Sequence, residues 1–213
     1  MTTLLLVRHG QSEANLKGIF AGNLDVKLME LGYMQAQKAA EYIKENYEVS
    51  GVYASDLKRA SETGRTIAEH LGVDMIHESN LREIRAGEWE GKSFDILAST
   101  YANDYGIWLN DIGNCRCTGG ESVKALGERV LKALERIARD NDEKTVVIAT
   151  HATPIRAAEC LISKENLNEM KNVPWSTNAS VTVISYENGK FSVVNSSIDS
   201  YLADFKTSFP ANV

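Results

Sequence analysis

Leu4 to Val7 is an unbroken apolar run that stops at Arg8, too short and too evenly apolar for an amphipathic helix, and it predicts a buried strand. That strand delivers Arg8 and His9 at its C-terminal end. From Glu30 to Asn46 the period changes. Leu31, Met34, Ala39, Tyr42 and Ile43 recur at helical spacing while Lys and Glu fill the other faces, which predicts a helix. Gly51 to Ala54 then predicts a second strand, Lys58 to Leu71 a second helix closed by Gly72, and Val73 to His77 a further extended segment. Between Glu88 and Gly120 the periodicity weakens, and Trp89, Phe94, Tyr101, Tyr105 and Trp108 are mixed with glycines; this stretch predicts an excursion over the sheet. Regular alternation returns with a helix from about Glu121 to Arg139, an apolar run from Thr145 to Ala149, and a helix from Pro154, a residue suited to a first turn. Ser180 to Tyr186 and Lys190 to Val194 complete the pattern as two strands joined by Asn188-Gly189, a hairpin turn signal.

Strands alternating with helices predict an α/β fold whose mostly parallel sheet carries the hairpin as an antiparallel edge. The 213 residues, 43% apolar, suffice for one core. With no repeat, low-complexity tract or linker, residues 1–213 read as a single domain with a lid-like excursion at about 88–120. The net charge of −6 gives no general attraction to nucleic acid or anionic lipid, so any cationic site must be local. No stretch is long enough to cross a bilayer and no basic leader precedes Leu4, which predicts a cytoplasmic protein without a membrane partner. The odd set Cys115, Cys117 and Cys160 fits free thiols in a reducing compartment. Cys115 and Cys117, one residue apart with no nearby histidine, make a poor zinc pattern, and no metal or cofactor is expected. The sequons at Asn178 and Asn195 fail on the same compartment argument. The oligomeric state is open, a homodimer included.

Ligands of open α/β sheets bind beyond the carboxyl ends of the strands. Those positions hold Arg8-His9-Gly10, Ser55-Asp56-Leu57-Lys58-Arg59 and Thr150-His151. Two arginines and two histidines, distant in sequence, thereby converge on one sheet edge and predict an anion pocket.

These residues resemble the histidine phosphatase superfamily, also called phosphoglycerate mutase-like. Its signature reads here Arg8-His9-Gly10-Gln11-Ser12-Glu13-Ala14-Asn15. Ser55-Asp56-Leu57-Lys58-Arg59-Ala60 with Thr63 is similar to the family's second arginine motif, and Thr150-His151 with Ile155-Arg156 to its second histidine motif. Leu81-Arg82-Glu83 followed by Gly87-Glu88-Trp89-Glu90-Gly91 resembles the segment that carries the acid, and Gly120-Glu121-Ser122 is a further family element. The resemblance implies a three-layer α/β/α sandwich around a mixed, mostly parallel sheet.

It also implies a metal-independent phosphomonoesterase acting on a small phosphorylated metabolite through a phosphohistidine. His9 is then the nucleophile, a neutral imidazole that splits one displacement into two. Arg8, Arg59 and His151 bind the phosphoryl oxygens and stabilise their charge. The same cations lower the pKa of His9. Gly10 lets the backbone approach the phosphate, and Asn15 offers an amide donor. Glu83 is the candidate acid for the leaving alcohol and the base for the attacking water; a phosphate dianion beside it favours the protonated form that the first role needs. His70 and His77 match no motif and read as structural, and Asp56 reads as a turn or helix-cap residue.

A cofactor-dependent phosphoglycerate mutase would share the phosphohistidine but return the group to a sugar acid. Mutases resemble Asn-Glu-Arg-x-Tyr-Gly in the acid segment, whereas Arg82-Glu83-Ile84-Arg85-Ala86-Gly87 is closer to the phosphatase branch that includes the α-ribazole phosphatases. Arg85 stands where those phosphatases often carry an acidic residue, and Asn23 replaces a common aromatic or acidic residue. Arg85 is therefore a candidate contact for a carboxylate or second phosphate on the substrate, and the aromatic excursion a candidate apolar wall. A non-catalytic phosphoprotein-binding module would be marked by loss of a histidine, and both are present.

Overall fold

The computed structural model describes residues 1–207. Strands β1 (Thr2–Arg8), β2 (Val49–Ala54), β3 (Met75–His77), β4 (Thr145–Thr150), β5 (Val181–Glu187) and β6 (Lys190–Ile198) form one sheet in the order β3-β2-β4-β1-β5-β6. The first four are mutually parallel, and β5 and β6 run antiparallel on the β1 side. Asn188 and Gly189 both have positive φ, 51° and 78°, as the two-residue hairpin turn between β5 and β6 requires.

The helices are α1 (Glu13–Lys17), α2 (Glu30–Asn46), α3 (Lys58–Leu71), α4 (Phe94–Thr100), α5 (Ala102–Asn110), α6 (Val123–Asp140) and α7 (Ala152–Lys164). Alternate residues of β1 and β4 point to opposite faces. Leu5, Val7 and Val147 meet α2 and α3 through Ala39, Ala40, Ile43 and Ile67, while Leu4, Leu6 and Ile148 meet α6 and α7 through Leu126, Leu134, Ile137 and Ile155. Both faces are covered, which makes the predicted three layers and explains why central strands read as continuous apolar runs.

Two helix starts differ from the sequence reading. α6 begins at Val123, where the Ser122 hydroxyl accepts from the Ala125 amide at 3.2 Å, and α7 begins at Ala152 with His151 in the cap position, so Pro154 sits within the first turn instead of opening it. The excursion also holds regular structure, α4 and α5. Trp89, Tyr105 and Trp108 are buried in one core cluster, with Trp89 edge-on to Phe20, Tyr105 and Trp108. Because several faces of these short helices meet neighbours, their apolar residues show no single stripe.

Candidate active site

Parallel pairing sets Arg8 opposite Thr150 on β4, and Ala54 opposite Ala149. The chain just past β1, β2 and β4 is tied together by His9 N–H donating to Thr150 O (2.9 Å) and Ser55 N–H donating to Ala149 O (2.9 Å). The structure thereby gathers Arg8, His9, Arg59, Glu83, His151 and Asn15 at one end of the sheet.

His9 is buried, and its Nδ1 lies 2.7 Å from Gly10 O. A carbonyl oxygen only accepts, so Nδ1 carries the proton and Nε2 holds the lone pair. Arg59 Nε–H points at that Nε2 from 3.3 Å. Burial, then Arg59, then Arg8 hold the pKa of His9 well below the usual histidine range. The ring is neutral, with its nucleophilic nitrogen facing a guanidinium.

Arg59 is held by Nη1 to Leu24 O (2.9 Å) and Nη2 to Gly22 O (2.8 Å). Arg8 Nη1 donates to Ser176 O at 2.6 Å. Burial lowers their pKa values to about 10 and about 9, with Glu83 opposing the shift in both, so both remain cationic at neutral pH. His151 is fully buried with its ring edge-on to His9, centroids 5.2 Å apart. Its Nε2 meets Ser55 Oγ at 2.8 Å, and its Nδ1 has no partner among the described residues. Glu83 is buried at the N-terminus of α7, where Oε2 accepts from Thr153 N–H (3.3 Å) and Oε1 from Ile84 N–H (2.8 Å). Asn15 Oδ1 accepts from Ser12 N–H, Ser12 Oγ–H and Asn178 Nδ2–H, which leaves its own Nδ2 as the donor available to a ligand.

Arg8, His9, Asn15, Arg59 and Glu83 line a cleft of about 80 Å³ whose remaining wall is largely apolar: Ile19, Phe20, Ala21, Phe94, Trp108 and Trp175. Phe94 and Trp108 supply the wall expected of the excursion, whereas Trp89 and Tyr105 belong to the core.

Three residues have partners of their own. Gly10 N–H is occupied by Thr63 Oγ1 at 3.1 Å, and a Cβ on Gly10 would lie 2.3 Å from Gly32 O, so close contact with α2 requires the glycine. Arg85 is exposed, donates to Gly119 O at 3.1 Å, and lines a separate cavity with Arg82 and Arg129. Asp56 lies in the turn between β2 and α3, as read, and there forms a two-oxygen pair with Arg82 at 2.6 and 2.5 Å. His77 binds Ser61 Oγ at 2.7 Å away from the cleft. Cys115 and Cys117 are buried core thiols, and among the described residues no group of three or more His, Cys, Asp or Glu is placed to hold a metal ion. No helix among them is long and apolar enough to cross a membrane.

The sequence reading missed Ser176 and Asn178, whose amide donates to His9 O at 2.9 Å. They precede β5, an antiparallel strand, so it is the start of that strand that reaches the site. Attention to carboxyl ends alone passes over them.

The two buried histidines have an acid-stability consequence. Each has a folded-state pKa below its unfolded value of about 6.5, with burial the main cause, so the unfolded chain binds more protons between those two values. Their contribution is complete above about pH 6.5 and is lost as pH falls. Chemical denaturation from pH 7 to 5 is expected to show stability falling by up to about 1.4 kcal/mol per pH unit per histidine, and His9→Ala is expected to remove one histidine's share of that slope. An unaltered slope in the variant would show that His9 takes up its proton without unfolding.

The model of the histidine phosphatase superfamily (branch 1) matches residues 4–199. Phosphoserine phosphatase 1 of Hydrogenobacter thermophilus is 32% identical over 209 residues, 96% of this chain and 96% of the relative. The 2,3-bisphosphoglycerate-dependent phosphoglycerate mutase of Parvibaculum lavamentivorans is 33% identical over 84% of this chain and 88% of its own. Among solved structures, YhfR of Bacillus stearothermophilus superposes with a TM-score of 0.90 at 26% identity, covering 95% of this chain and all of that one.

Proposed function

The chain belongs to branch 1 of the histidine phosphatase superfamily and is a phosphomonoesterase, and we propose that His9 is its phosphoryl acceptor. The observation that carries this assignment is the Nδ1–H to Gly10 O bond, which fixes the tautomer with its lone pair on Nε2, beside Arg59 in the cleft. Nε2 attacks phosphorus, the P–N bond forms, and the P–O bond to the leaving group breaks. Arg8 and Arg59 carry the charge on the phosphoryl oxygens, assisted by Asn15 and by His151, whose Nδ1–H donates while Nε2 accepts from Ser55 Oγ–H. Glu83 gives its proton to the departing oxygen. It then takes one from water, which attacks phosphorus, breaks the P–N bond and returns the electron pair to Nε2.

A phosphatase and a mutase are relatives of nearly equal identity, so resemblance alone does not choose the acceptor. The wall does. Beyond Arg8, Arg59 and Glu83 no charged side chain among the described residues lines the cleft, so the carboxylate and second phosphate of a bisphosphorylated sugar acid would lie against Phe20, Phe94 and the two tryptophans. The same wall favours leaving groups with an apolar or flat face over the ammonium and carboxylate of phosphoserine. Phosphate release from phenyl phosphate, α-ribazole phosphate, phosphoserine and 3-phosphoglycerate tests this ranking. Equal or better kcat/KM for the last two would overturn it.

The cations supply the charge compensation that a divalent ion would otherwise give, so turnover after exhaustive EDTA treatment is expected to stay within about twofold of the untreated enzyme. Loss of activity restored by added magnesium would count against the assignment. Three buried free thiols support a reducing, cytoplasmic location.

A further inference from the structure

A second cavity, of about 390 Å³, shares Trp108 and Trp175 with the His9 cleft; the two indoles lie 6.1 Å apart, tilted by 30°. Its other walls come from the end of α5 and Ile112, from Lys171 to Pro174, and from Arg156 of α7. Arg156 is 6% exposed. Its Nε donates to Val173 O at 2.5 Å and its Nη2 to Lys171 O at 3.3 Å, while the guanidinium lies 4.2 Å over the Trp175 ring. Nη1 has no protein acceptor, and no carboxylate forms an ion pair with this guanidinium, among the described residues. Burial lowers its pKa to about 10, which leaves it charged at neutral pH.

Two further groups line the same cavity. Lys171 is exposed and adds a second cation without a salt bridge among the described residues. Trp108, 3% exposed, has an indole N–H with no acceptor among the described residues. A nearly buried cation without a counter-ion and an unmet donor are both relieved by an anion with oxygen acceptors. The indoles shared with the His9 cleft offer an apolar surface along which one molecule can reach both cavities.

We propose that this cavity is a second binding site that holds a carboxylate or similar anionic oxygen group at the far end of the leaving group. Substrates are then phosphomonoesters with an apolar or aromatic body and an anionic tail. This rests on the phosphatase reading of the His9 cleft, and it differs from the short sugar acids because the charge lies beyond the indole wall.

The test uses phenyl phosphates bearing para chains of one to five carbons that end in a carboxylate, each paired with its methyl ester. The wild type is expected to prefer at least one carboxylate over its ester by about tenfold in kcat/KM. Lys171→Glu is expected to bring that ratio to one or below. Lys190→Glu makes the same charge change at the hairpin turn, at the opposite end of the sheet, and is expected to keep the wild-type ratio. Ratios near one at every chain length overturn the proposal, as does a preference that survives Lys171→Glu. A preference independent of chain length, matched by inhibition from free butyrate, identifies an independent anion site and overturns the tail assignment. If phenyl phosphate itself is not hydrolysed, the phosphatase reading fails separately. The cavity is then read by quenching of tryptophan fluorescence by the corresponding phenylalkanoates, and quenching that is absent, or unchanged in Lys171→Glu, overturns it.

Discussion

His9→Ala is expected to reduce phosphate release by about 10⁴-fold or more while the protein stays folded, because the group that forms the covalent bond is lost and little else is. Its side chain contacts Gly10 O and, across to α3, Arg59 Nε, and that guanidinium keeps its bonds to Leu24 O and Gly22 O when the ring is removed. The backbone bond from His9 N–H to Thr150 O also survives the substitution. The cations remain in place, so the variant should still bind phosphate. Wild type quenched during turnover, without acid, should carry one phosphoryl group in an acid-labile, base-stable linkage, and the variant none. Turnover near the wild-type rate in His9→Ala would remove this residue from the mechanism, whatever the geometry of the cleft.

How far the sequence foretold this site depends on where each residue lies. Arg8, His9 and His151 directly follow apolar runs that end abruptly, and Arg59 opens a helix closed at Gly72, where φ is 70°; such boundaries are local and legible. The five-residue helix α1 was not legible, because its ends rest on the Ser12–Asn15 capping pair and on Gly18 more than on any apolar stripe. Nor was the division of the aromatic residues between core and wall. Trp89 and Trp108 are alike in composition and neighbourhood, yet only Trp108 lines the cleft, since tertiary packing and not periodicity decides which way each ring faces. Asn178 showed only as a sequon, although its amide holds the His9 carbonyl. Arg85 is an unusual residue in a matching segment. Its side chain instead lines a cavity with two other arginines, one paired to Asp56 and one to Glu121.

Glu83→Gln separates acid catalysis from phosphate positioning. The carboxylate accepts two backbone N–H groups, from Ile84 and Thr153, and lines the cleft with His9. A glutamine preserves the size and one acceptor, but it cannot deliver a proton to the departing oxygen and turns an N–H₂ toward one of the two donors. An alkyl leaving group needs that proton, so kcat/KM for an alkyl phosphate is expected to fall by about 10²- to 10³-fold. p-Nitrophenolate departs with little help, and its release in the first turnover should slow by about tenfold or less. The second half-reaction does not spare either substrate, because Glu83 also activates the water that breaks the phosphohistidine. A rapid burst of p-nitrophenol followed by a slow steady state is therefore expected, with the phosphoenzyme accumulating. Equal losses in the first-turnover rate on both substrates would show that the carboxylate orients the phosphoryl group through its neighbours Arg8 and Arg59, and the proton would then have to come from another donor in the cleft.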